Sequence, residues 1–274
     1  MVAHLECGDP DRVRIPAEVG VNSGSIEPLL YPLPSAPRPW IMSHAERCAV
    51  LQILRIARPA ASLEIGTSGG GCLQHIRAHS QRTFSIDINP DVATRLSVEM
   101  PDVEFLTGNS PDLIHEVFRR CGARRDPLGF ILVDGDHSYR GVLADLLAIL
   151  AHVPSSSLWV VMHDTANPEC RRGIEAAPWS AHPHVHMVDL DFIPGSLCEG
   201  DPFRNQLWGG LGVALLRPDA RTGPLPAVTI PNLTYSALFR ASLDYPSIAN
   251  RIRRWWRVKR RGLQRRFPQL GRFR

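Results

Sequence analysis

The sequence predicts an α/β protein built on a doubly wound sheet, mostly parallel, with an antiparallel strand at its end. Three observations carry this. From residue 43 onward, short apolar segments alternate with helical ones, the rhythm of a parallel sheet covered on both faces. The run Glu64-Ile65-Gly66-Thr67-Ser68-Gly69-Gly70-Gly71 joins the first strand to the next helix. After Asp164 the rhythm breaks, and two later apolar segments lack a crossover helix between them, so they should run antiparallel.

Residues 1–42 are rich in Pro and Gly and form an N-terminal arm or lid without clear periodicity. Ser43 and Glu46 make a capping-box pattern ahead of a helical run at 49–57, which Pro59 ends. Strands are expected at 62–66, 83–88, 103–107, 130–134 and 158–163. Helices are expected at 72–79, 90–100, 110–121 and 139–152. A helix at 171–177 follows, then strands at 185–192 and 211–216 around a long loop, 193–210, of a length that is often functional. The α/β domain therefore spans 43–217. A Pro-containing extension occupies 218–250 and a basic, Trp-containing tail 251–274.

Of the 274 residues 44% are hydrophobic, enough for one large core. No apolar run approaches the roughly 18 residues of a membrane span. The polar start does not read as a secretory signal. Cys7, Cys48, Cys72, Cys121, Cys170 and Cys198 are scattered without a CxxC pair, which suits reduced thiols in a cytoplasm rather than a disulfide framework. The net charge of +4 is divided unevenly. The tail contributes eleven Lys/Arg and no acid, leaving −7 on the other 250 residues.

The glycine turn carries the sharpest chemistry. Gly66 and Gly69 let the backbone turn tightly and approach a ligand, and the amides near Ser68 open a helix N-terminus. Asp87 ends the second strand, where an acid accepts hydrogen bonds from both ribose hydroxyls. Gly108-Asn109-Ser110 follows the third strand, at a place suited to an adenine ring. A dinucleotide fold shows G-x-G-x-x-G, but here Glu64 holds the first position. A carboxylate there would repel a pyrophosphate and could orient a cationic cofactor.

A second constellation lies at the same sheet edge. Four apolar residues place Asp134 at the carboxyl end of the fourth strand, where ligands bind in open sheets. The fifth strand delivers His163 and Asp164 beside it, since neighbouring strands lie ~5 Å apart. Asp134, His163 and Asp164 can converge on a divalent cation such as Mg²⁺ or Mn²⁺. Asp136 and His137 follow, and either could take the proton of a weakly acidic hydroxyl. A second reading of His137 is a cap for the following helix. His182, His184 and His186 alternate along a strand, and a solvated strand face accounts for them.

Residues 64–70 with Asp87, Asn109 and Ser110 resemble the cofactor motifs of class I S-adenosylmethionine-dependent methyltransferases, and the terminal hairpin with Gly212 resembles that family's seventh strand. The resemblance covers about 43–217. It implies a Rossmann-like sheet, S-adenosylmethionine as cofactor, and Glu64, Gly66, Ser68, Gly69, Asp87, Asn109, Ser110 and Asp134 around it. Asp134 and Asp164 further resemble the metal acids of small-molecule and sugar O-methyltransferases, with His163 where a carboxylate is usual. The implied activity is methylation of a small-molecule hydroxyl, with a sugar or glycan precursor preferred. A nicotinamide-dependent oxidoreductase is disfavoured by Glu64. A nucleic-acid methyltransferase using the tail would be expected to show an Asn-Pro-Pro-Tyr-like or catalytic cysteine motif, and neither is evident. A homo-oligomer is compatible with the sequence.

In the tail, Ile252, Trp255, Trp256, Leu263 and Phe267 can share a helical stripe flanked by arginines. That composition suits an interfacial helix on an anionic membrane. It equally suits nucleic acid, or packing against the acidic body.

Overall fold

A computed structural model describes residues 38–200, 202–226, 234–253, 255, 256 and 259. The N-terminal arm up to residue 37 and the tail beyond 259 lie outside the described residues.

Seven strands form one sheet: β1 (Ala61–Ile65), β2 (Arg82–Asp87), β3 (Val103–Thr107), β4 (Leu128–Val133), β5 (Leu158–His163), β6 (Val185–Ile193) and β9 (Leu211–Leu216). Their spatial order is β3-β2-β1-β4-β5-β9-β6. The first five are mutually parallel, and β9 is antiparallel to both β5 and β6. The expected Rossmann-like sheet with an antiparallel terminal strand is therefore present. Its strand order reverses between β1 and β4, which opens the crevice where such sheets bind ligands.

The helices start where the sequence marks them. Ser43 and Glu46 close a capping box on α1 (His44–Ala57). Cys72 precedes α2 (Leu73–Ala78), and Asn89 caps α3 (Pro90–Glu99), which has Pro at its first position. Asn109 precedes α4 (Ser110–Arg124), and Ser138 caps α5 (Tyr139–Leu150) by accepting from Gly141 N. Asn167 accepts from Glu169 N and Cys170 N to start α6 (Pro168–Ala176). That cap moves the α6 start three residues ahead of the expected 171.

One face of β1, β2, β4 and β5 presents Leu63, Ile65, Phe84, Ile86, Ile131, Val133, Val160 and Met162 to α4–α6, through Ile114, Val117, Val142, Leu146, Ile149 and Ile174. Leu73 of α2 and Val92 and Leu96 of α3 pack with Met100 and Val103 in a second cluster. Alternation along each strand produces the two faces. The 193–210 segment contains more than a loop: β7 (Ser196–Leu197) and β8 (Leu207–Trp208) pair as a short hairpin. In the Pro-containing extension, α7 (Thr234–Ala241) was not expected. His182, His184 and His186 each direct a ring nitrogen at a backbone carbonyl, of Leu150, Arg217 and Asp219, and gather no metal site.

Candidate active site

The turn after β1 is built against the end of β4. Gly66 has φ +84°, and a Cβ there would lie 2.1 Å from the Asp134 carbonyl oxygen. The Gly66 amide donates to Ile86 O and the Asp134 amide to Ile65 O, each at 2.9 Å. Only glycine allows this approach, and it sets the glycine turn directly beside Asp134. Ser68, also at positive φ (+48°), donates its amide to Asp87 Oδ2 at 2.9 Å. Asp87 Oδ1 accepts from Asn89 N at 2.9 Å. Asp87 is thus fixed by two backbone amides and is half-buried. Ser68 and Gly69 are exposed, and nothing lies within 4 Å of a Cβ placed on Gly69.

Beneath the turn, Glu64 is buried and its Oε2 has no hydrogen-bond partner. Burial pushes its carboxyl well above the usual range, against a lowering contribution from Thr67. Glu64 is an unsatisfied acceptor that the ammonium group of an amino-acid-type cofactor would satisfy. The donor set therefore fits S-adenosylmethionine.

At the start of α4, Asn109 Nδ2 donates to Asp112 Oδ2 at 2.8 Å, and Ser110 Oγ donates to Asp145 Oδ1 at 2.5 Å. Asp145, on α5, is buried and its Oδ2 has no partner. Burial lifts its carboxyl to about 6 while the Ser110 hydrogen bond opposes the shift. Sequence reasoning gave Asp145 no role; its pairing with Ser110 spans 35 positions.

The carboxylate cluster joins three elements. His137 Nε2 lies 3.3 Å from both Asp134 Oδ1 and Asp164 Oδ2. One ligand-type atom from each of Asp134, His137 and Asp164 falls within 4.8 Å of the others. His163 stands beside them, its Nδ1 2.9 Å from Asp134 Oδ1 and 3.7 Å from Asp164 Oδ2. Its other nitrogen faces Glu46 Oε1 at 3.5 Å. Glu46, on α1, also accepts from Gly210 N at 2.5 Å and from Ser43 N at 2.6 Å. Asp164 has φ +56° and accepts from Gly209 N at 2.6 Å. Strained backbone of this kind is held only by surrounding contacts and gathers at functional sites.

The electrostatics follow from the geometry. Burial raises the Asp164 carboxyl, with a smaller lowering by His163. Burial also opposes ionisation of Asp134, yet His163 and His137 hold it below its usual value. The Asp134 hydrogen bond raises the His137 imidazole. Burial alone would lower His163, but Asp134 and Glu46 lift it well above the ordinary histidine range. Glu46 ends at about 2, because His163 and Ser43 outweigh its burial.

The structure therefore brings Asp134, His137 and Asp164 together, places His163 between Asp134 and Glu46, and sets Asp136 apart. Asp136 accepts from Ser138 N at 3.0 Å and Ser138 Oγ at 2.9 Å, in the loop just ahead of α5. The helix cap is Ser138, not His137. Trp208, on β8, packs edge-on to His137 with ring centroids 5.6 Å apart, and Phe203 packs on Trp208 at 5.4 Å.

The sheet order and the glycine turn are those of a Rossmann-like methyltransferase fold. Residues 63–165 match a family model described as a methyltransferase domain. That stretch runs from β1 through the glycine turn, Asp87, Asp134 and His137 to just past the end of β5. No curated protein matches the chain. Among solved structures, an O-methyltransferase from Bacillus cereus in complex with SAH is 16% identical, with 68% of this chain and 84% of that chain covered, at a TM-score of 0.49. The O-methyltransferase TomG from Streptomyces achromogenes, involved in tomaymycin synthesis, is 15% identical, with coverages of 64% and 81%, at a TM-score of 0.48.

Proposed function

We propose that this chain transfers the methyl group of S-adenosylmethionine to a hydroxyl of a small molecule, a sugar or glycan precursor by preference, with a divalent cation assisting. The observation that carries the reading is the contact between the two halves of the site: the glycine turn abuts the main chain of Asp134, whose carboxylate begins the Asp134–His137–Asp164 cluster.

In this reading Asp87 receives the ribose hydroxyls, Glu64 the ammonium group, and Asn109 and Ser110 border the adenine. Two carboxylates and an imidazole suit a divalent ion of the Mg²⁺ to Mn²⁺ range, with nitrogen favouring the softer end. Asp134, Asp164 and His137 would hold it, with His163 orienting Asp134. Once bound, such a cation lowers the pKa of a hydroxyl at the site. The hydroxyl oxygen forms its bond to the methyl carbon as the carbon–sulfur bond breaks. The sulfonium becomes a neutral thioether and the hydroxyl proton leaves to solvent or a base. Trp208 beside His137 offers an aromatic face of the kind that stacks on the C–H side of a saccharide ring. In a metal-free variant the 3.3 Å approach of His137 Nε2 to both carboxylates would keep a proton on Nε2 and leave Nδ1 as the general base.

Labelled methyl transfer to saccharide and phenol acceptors tests the proposal. Turnover on a saccharide should vanish after exhaustive chelation and return with Mn²⁺ or Mg²⁺. Undiminished turnover after chelation would overturn the metal and leave His137 as base. Transfer to nucleic acid alone would overturn the acceptor class.

A further inference from the structure

The basic end of the chain is absorbed by none of this chemistry. Ser247 Oγ accepts from Asn250 N at 3.1 Å, capping a helix α8 whose described residues are 248–253, 255, 256 and 259. A polar hook ties α8 to the preceding turn. Asn250 is buried and donates Nδ2 to Ser242 O at 2.5 Å and Tyr245 O at 3.3 Å. Next to Ser242, Leu243 N donates to Asn205 O at 2.9 Å. The opposite side of α8 is apolar and open. Ile248, Ile252, Trp255 and Trp256 are 77%, 52%, 52% and 63% exposed, at the spacing that places residues on one helical face. Arg251 borders a shallow groove with Ile248, Ile252 and Trp255.

We propose that α8 is an interfacial anchor that seats this chain on an anionic lipid bilayer. Its four exposed apolar side chains enter the boundary between headgroups and acyl chains, and the flanking cations meet lipid phosphates. Charge complementarity selects this occupant: residues 251–274 hold eleven Lys/Arg and no acid, a density that anionic surfaces attract. A second copy of the same face would bring like charges together with no acid to balance them. Nucleic acid would use aromatic faces, but Lys259 Nζ lies 4.9 Å over the Trp255 ring and the two tryptophans meet edge to face at 5.1 Å. Ile248 and Ile252 offer no base a stacking surface, whereas a bilayer rewards their burial. Among the described residues no helix is long and apolar enough to cross a membrane.

Vesicle flotation of the full chain tests this independently of the proposed activity. The protein should float with vesicles containing phosphatidylglycerol, stay behind with pure phosphatidylcholine, and be released by high salt. Trp255→Ala/Trp256→Ala and Ile252→Ser should each cut partitioning at least tenfold while leaving the melting temperature unchanged, because these side chains are exposed. Failure to float with either vesicle, variants that float like the wild type, or retention on a single-stranded homopolymer without flotation would overturn the anchor.

Discussion

Gly66→Ala should lower the melting temperature by about 10 °C or more, a loss of several kcal/mol for a domain of this size, and remove measurable binding of S-adenosylhomocysteine. The added methyl would sit 2.1 Å from Asp134 O and 2.6 Å from Gly135 Cα, with φ at +84°. The three nearest atoms are all backbone, so no side-chain rotation relieves the clash. Either β1 and β4 separate at their carboxyl ends or the turn changes course, and both moves displace the glycine turn and Asp134 together. The left-handed conformation costs a further ~1–2 kcal/mol for an L-residue. Gly69→Ala is the control. A Cβ at Gly69 meets nothing within 4 Å, so thermal melting should stay near wild type while cofactor affinity alone reports the added methyl. Equal melting of Gly66→Ala and wild type would show that the close approach is not a constraint on the fold.

Asp134→Asn should reduce methyl transfer by about a hundredfold or more while keeping S-adenosylhomocysteine affinity within about tenfold of wild type. The amide cannot carry the charge that His137 and His163 meet at 3.3 and 2.9 Å, and it halves the carboxylate content of the cluster. The glycine turn rests on the Asp134 main chain, which the substitution leaves in place. Comparing kcat with cofactor affinity therefore separates a role in chemistry from a role in folding. Near-normal turnover would show that the carboxylate only braces His163.

The sheet was legible because its signals are local. Apolar runs, the Ser43–Glu46 capping box and the glycine turn act within a few residues. The terminal pair β6 and β9 was also readable, since the absence of a crossover helix dictates antiparallel pairing. The cluster's internal arrangement was less accessible. His163 bridges Asp134 and Glu46 on α1, while Asp164, at positive φ, brings its carboxylate to His137. Glu46 reads in the sequence as half of a capping box, and its bond to Gly210 crosses 164 positions. The Ser110–Asp145 pair and Trp208 beside His137 likewise depend on tertiary placement with no periodic signal.

Calorimetric titration of the full chain with S-adenosylhomocysteine and with NAD⁺, on wild type and Asp87→Ala, tests the central claim most directly. The wild type should bind the adenosyl ligand and not the dinucleotide. Asp87→Ala should weaken that binding by about ten- to a hundredfold, the loss of charge-assisted hydrogen bonds worth ~1.5–3 kcal/mol. Tight binding of NAD⁺ with no heat from S-adenosylhomocysteine would contradict the account.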